Sequence, residues 1–100
     1  MEKYRKNETE TNLSTAIQYF QQSFDLSPKD HPELADQLQN LGLAYQERYK
    51  RNRLEADLNT SIQLFQQCLE LTPNNHPELA DQLQNLGAGY GNKYRRTRIY

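Results

Sequence analysis

The chain has 100 residues, 35% of them hydrophobic, with 12 basic and 13 acidic side chains, a net charge of −1 and one cysteine. That length suits one small domain, and the low apolar content predicts a thin, elongated core. The charge balance argues against nucleic acid as a partner, because neutralising phosphates takes a clear basic surplus.

With Cys68 alone, neither an internal disulfide nor a cysteine-rich metal site is possible, and a cytoplasmic location is the simplest expectation. No charged-then-apolar leader opens the chain. No apolar run approaches ~18 residues, so no membrane span is expected. Sequons at Asn7, Asn12 and Asn59 read as chance matches in an Asn-rich chain.

The first predicted helix covers 11–26, where Leu13, Ile17, Phe20 and Phe24 share a face and Pro28 follows the end. The second, over 32–50, places Leu34, Leu38, Leu41, Tyr45 and Tyr49 on one face. Pro32 suits its first position, where the missing N–H is no loss, and Asp30 or His31 is positioned to cap. The third, over 55–71, carries Leu58, Ile62, Phe65 and Leu69 and ends before Pro73. The fourth, over 77–95, repeats the second with Leu79, Leu83, Leu86, Tyr90 and Tyr94. No Gly or Pro occurs from Leu43 to Thr72, so only Asn52, which tolerates a left-handed backbone, marks a stop between the two middle helices.

One 12-residue string, His-Pro-Glu-Leu-Ala-Asp-Gln-Leu-Gln-Asn-Leu-Gly, stands unchanged at His31 to Gly42 and at His76 to Gly87, a period of 45 residues. Tyr4, Tyr49 and Tyr94 keep the same register, as do Leu13 and Leu58, Phe20 and Phe65, and Pro28 and Pro73. A period in this range indicates stacked helix pairs. The expected organisation is a single domain over 1–100, with units of about 4–48 and 49–93 and a basic tail over 94–100.

Leu38-x-x-Leu41-Gly42-x-x-Tyr45 and Leu83-x-x-Leu86-Gly87-x-x-Tyr90 resemble the first helix of tetratricopeptide repeats. Ala16, Phe20, Ser23 and Pro28, with Ser61, Phe65, Cys68 and Pro73, resemble the second. The lengthened period, with His-Pro opening the first helix, is similar to the repeats of kinesin light chains. It is closer to those that accompany caspase-like or nucleotide-binding domains in microbial and fungal signalling proteins. The resemblance covers nearly the whole chain and implies an all-α solenoid of four antiparallel helices that binds other macromolecules. Relatives commonly have Gly in the turn between first and second helix, where this chain has Arg51, Asn52 and Arg53. The phasing also differs, since the chain opens on a second-type helix and closes on a first-type one.

The resemblance implies a concave groove lined by the first-type helices, with Asn40 and Asn85 at the position that holds a bound peptide backbone. Asp36, Gln39 and Leu43, and Asp81, Gln84 and Ala88, complete the expected peptide-binding groove. The alternative is that these are solvated positions of a duplicated helix. Gln39 and Gln84 stand where Lys or Arg would clamp a terminal carboxylate, so that mode of recognition is not expected.

Basic residues recur with the repeat as Lys3, Arg5, Lys6; Arg48, Lys50, Arg51, Arg53; and Lys93, Arg95, Arg96, Arg98. They make either a ladder for an acidic partner or simple compensation of helix C-termini. His31 and His76 read as capping or packing residues rather than ligands, since the His-x-Glu of zinc deaminases needs a cysteine pair that is absent. No nucleophile triad, phosphate loop or catalytic carboxylate pair stands out, so the chain is expected to be no enzyme and to need no cofactor. The leading expectation is a protein or peptide scaffold. The rival is a self-assembling structural module, designed, excised or part of a larger signalling protein, that joins copies through its two unpartnered terminal helices, either head to tail or by swapping halves through one long middle helix.

Overall fold

A computed structural model describes the backbone of residues 2–97 and the side chains of residues 8–97. The side chains of Lys3, Tyr4, Arg5 and Lys6, and the whole of Arg98, lie outside the described residues. The described residues form four helices and no strand: α1 (Glu2–Leu26), α2 (Leu34–Asn52), α3 (Glu55–Leu71) and α4 (Leu79–Thr97). The all-α class follows directly.

Three kinds of departure from the expected helix ends occur, the second shared by α2 and by α4, which begins at Leu79 rather than 77. α1 begins at Glu2 rather than near 11, because residues 2–10 contain no Gly or Pro and include good helix formers, although they lack an apolar period to announce them. α2 begins at Leu34, with Pro32 left in a turn. There the His31 amide donates to Pro28 O at 3.0 Å, the Leu34 amide to His31 O at 3.1 Å, and the Glu33 amide to His31 Nδ1 at 3.1 Å. His76 builds the same turn with Pro73, Leu79 and Glu78. Both histidines thus stabilise the turn ahead of a helix; the N-cap of α2 is Glu33, with no side-chain capping hydrogen bond.

The third departure is the α2–α3 corner, where the left-handed residue is Arg53 (φ 59°, ψ 27°) and Asn52 remains helical. That conformation costs a residue with a Cβ roughly 1–2 kcal/mol. Local contacts hold it: the Arg53 amide donates to Tyr49 O at 2.7 Å, and its guanidinium lies 5.6 Å from the centre of the Tyr49 ring. Across the corner, Arg48 donates twice to the Asp57 carboxylate, both at 2.9 Å.

α2 packs against α1 on one side and α3 on the other, and α3 also packs against α4. The molecule measures 45 × 36 × 20 Å, its shortest dimension matching two layers of helices ~10 Å apart. Two kinds of contact hold it. At the first, Ile17 of α1 joins Ala44 of α2 in one buried cluster with Leu38, Leu41, Leu64 and Cys68. The same contact recurs 45 residues on, where a methyl group at Gly89 of α4 would lie 2.8 Å from Ile62 of α3. At the second, α2 meets α3 through Gly42, where a methyl would lie 2.8 Å from Cε1 of Phe65.

The apolar face expected on α4 is only partly used. Leu86 packs beside Tyr49, Leu58 and Ile62, but Leu83, Tyr90 and Tyr94 are 52, 53 and 64% exposed, whereas Leu38 and Tyr49 on α2 are 1 and 2% exposed. α3 covers that face of α2. No described helix does the same for α4.

Phe65→Ala should remove the ring that fills the Gly42 approach and destabilise the fold by ~3–5 kcal/mol. Urea denaturation should then show no cooperative transition, since a domain of this size has only ~5–15 kcal/mol in total. A midpoint close to the parent's would contradict the packing of α2 on α3.

Candidate functional site

On α2, Asp36, Asn40 and Leu43 are exposed and Gln39 is half-buried, a stripe at helical spacing on the side that neither α1 nor α3 covers. On α4, Asp81, Gln84 and Ala88 are exposed and Asn85 is half-buried. The eight expected groove residues thus lie at the surface and leave their amide and carboxylate groups available. Asp36 alone among them also lines one of the clefts found between α2 and α4.

That cleft, about 160 Å³, lies at the N-terminal ends of α2 and α4 and is lined by Asp36, Ala35, Thr72, His76, Glu78 and Gln82 among others. Gln82 is 4% exposed, and its Oε1 has no hydrogen-bond partner among the described residues. A buried acceptor of this kind calls for a donor. Gln37, its equivalent on α2, donates from Nε2 to Ser27 Oγ at 3.0 Å, and its Oε1 is likewise without a partner among the described residues.

A second cleft, about 320 Å³, lies at the C-terminal ends of the same two helices and is lined by Tyr49, Arg53, Asn92, Arg95 and Arg96. The Arg53 and Arg96 guanidiniums lie 5.6 and 5.9 Å from the centre of the Tyr49 ring. Arg96 also donates to Arg53 O at 3.1 Å and approaches Glu55 at 3.7 Å. Part of the repeated basic ladder is thereby gathered into one place. Arg48 is not in it, because its double hydrogen bond to Asp57, which raises the guanidinium pKa, commits it to the α2–α3 corner.

The charges at the two ends differ in sign. Acidic groups stand where α2 and α4 begin, and basic groups where they end, so each set also complements its helix dipole. Gln82 and Asn92 escaped the sequence reading, although Gln82 lies inside the duplicated string. The signal that marks them is burial beside a cleft, which the linear pattern does not carry.

Cys68 is 1% exposed and donates from Sγ to Ala35 O at 3.2 Å. Burial raises the pKa of its thiol, which keeps it protonated and unreactive. The chain matches no protein-family model, no curated protein and no solved structure.

A thiol reagent should label Cys68 at least ~100-fold more slowly in the folded chain at neutral pH than in urea, because attack requires opening of the α2–α3 contact. Equal rates in both conditions would show that the thiol is accessible.

Proposed function

We propose that the chain is a non-catalytic, tetratricopeptide-type scaffold that takes an extended peptide segment along α2 and α4. The observation that carries this reading is the duplicated stripe of Asp36, Gln39, Asn40 and Leu43 with Asp81, Gln84, Asn85 and Ala88, left at the surface on both helices, while the rest of α2 packs and α4 packs in part. Antiparallel stacking, which the reading requires, is supported by the reversed order of the α2–α3 pairs: Ala35 with Cys68, Gly42 with Phe65, Arg48 with Asp57. The near-neutral charge favours a protein ligand over nucleic acid. No helix among the described residues is long and apolar enough to cross a membrane. With its buried free thiol, the chain suits a cytoplasmic setting.

The two clefts suggest what such a segment carries. Asp36 and Glu78 favour a basic residue at one end, where Gln82 Oε1 would accept from an N–H. Arg53, Arg95 and Arg96 favour an acidic residue at the other. Along α2, Asp36 to Arg53 spans about 25 Å at ~1.5 Å per residue, which an extended peptide covers with about eight residues.

Peptides of that length selected from a random library against the folded chain provide the test. Their amide shift changes should fall on the α2 and α4 stripes, and replacing Asn40 and Asn85 together with Ala should weaken binding by ~1–3 kcal/mol without loss of helix content. Selected peptides that map instead to the α1–α2 cleft around Gln18, Gln21 and Tyr45, or that bind the double variant as tightly as the parent, would overturn the assignment.

A further inference from the structure

We infer that the outer face of α4 in one molecule receives the outer face of α1 in a second copy, reproducing between molecules the contact that α2 makes with α3 within one. The inference stands apart from the peptide reading, because it uses the faces toward absent neighbouring helices and leaves the polar stripes alone.

The 45-residue repeat makes α4 the counterpart of α2 and α1 the counterpart of α3, and the structure repeats one of their two contacts outright. Ile17 and Ala44 share one buried cluster, and their counterparts Ile62 and Gly89 lie against each other. The other contact occurs once, as Phe65 against Gly42. Its counterparts, Phe20 and Gly87, sit at opposite ends of the chain and cannot meet within it. Gly87 has nothing within 4 Å of where its Cβ would be, whereas a Cβ on Gly42 would strike the Phe65 ring at 2.8 Å. Phe20 is 39% exposed and Phe65 is 2% exposed.

The residues around these two behave alike. Leu83 is 52% exposed where Leu38 is 1%, and Tyr19 is 67% exposed where Leu64 is 9%. A socket without its ring and a ring without its socket are thus carried by the same molecule. Tyr19 is larger than Leu64 and gives the outer face of α1 a second exposed ring beside Phe20. Asn12 and Lys93 replace the Asp57 and Arg48 pair, so the contact between copies lacks the double ionic hydrogen bond of the internal one. It is weaker, and it forms as concentration rises.

Because the two faces differ, the contact is heterologous and repeats from molecule to molecule, giving open chains that extend the stack of helices. In this arrangement the swapped route through one long middle helix is not needed, and Arg53 already breaks that helix.

Sedimentation and light scattering on the full chain test the idea. The weight-average mass should rise steadily with protein concentration and pass beyond a dimer. Gly87→Ala should leave helix content and melting unchanged or improved, since the methyl enters open space and Ala favours helix, yet should weaken association at least tenfold by occupying the Phe20 socket. Phe20→Ala should have the same effect on association from the other side. An equimolar mixture of the two variants should form a 1:1 complex that stops at two chains, because one intact socket and one intact ring remain. A parent that is monomeric at millimolar concentration, a parent mass that stops at a dimer, a Gly87→Ala chain that associates like the parent, or a mixture that fails to pair would each overturn the inference.

Discussion

Where α2 crosses α3, Gly42 offers bare backbone to the ring of Phe65, and the rest of the packing follows from how near this lets the helices come. Leu38, Leu41, Leu58 and Cys68, on the same two helices, are each 1% exposed or less. Interiors this close-packed leave no slack, so a single methyl at Gly42 would force either the ring or a helix to move. The corner beyond is held by the same closeness. Arg53 remains left-handed because Arg48 and Asp57 draw the two helix ends together across it.

α2 and α4 each divide their circumference among three tasks. One side meets the preceding helix through a small residue, Ala44 or Gly89, against an isoleucine. A second side presents a glycine, Gly42 against the Phe65 ring on α2 and Gly87 in open space on α4, and the third keeps polar groups in solvent. Small residues stand at both packing sides because two neighbours must approach one helix closely. The polar side is then free to vary without disturbing the stack, which is why charge and amide groups accumulate there.

The helix count, the register and most of the buried positions were legible in the sequence, because Leu38, Leu41, Leu58, Ile62 and Phe65 keep a helical period that survives in the packing. What was not legible depended on contacts distant in sequence. Asn52 has the better intrinsic tendency for a left-handed corner, but the pairing of Arg48 with Asp57 and the stacking on Tyr49 place it at Arg53. Pro32 looked like a first helical residue until the His31 ring nitrogen was seen to accept the Glu33 amide and draw the turn tighter. The groove stripe could be read as surface from its polarity alone. The gathering of charge at its two ends could not, since Glu78 precedes α4, Arg96 lies in its last turn and Arg53 caps the end of α2.

α1 also carries a lesson about where structure is written. Its residues 4–9 occupy the register of Tyr49 to Leu54, the end of α2 and the corner, yet α1 runs straight through them as helix. Asn12 stands where Asp57 clamps Arg48 in the next unit. The bend at the α2–α3 corner thus accompanies both a pairing across it, Arg48 with Asp57, and a local sequence that α1 does not share. In an array of such units, the stretch that turns the chain in one place runs on as helix in another, where the corner residues Arg53 and Leu54 are replaced by Glu8 and Thr9.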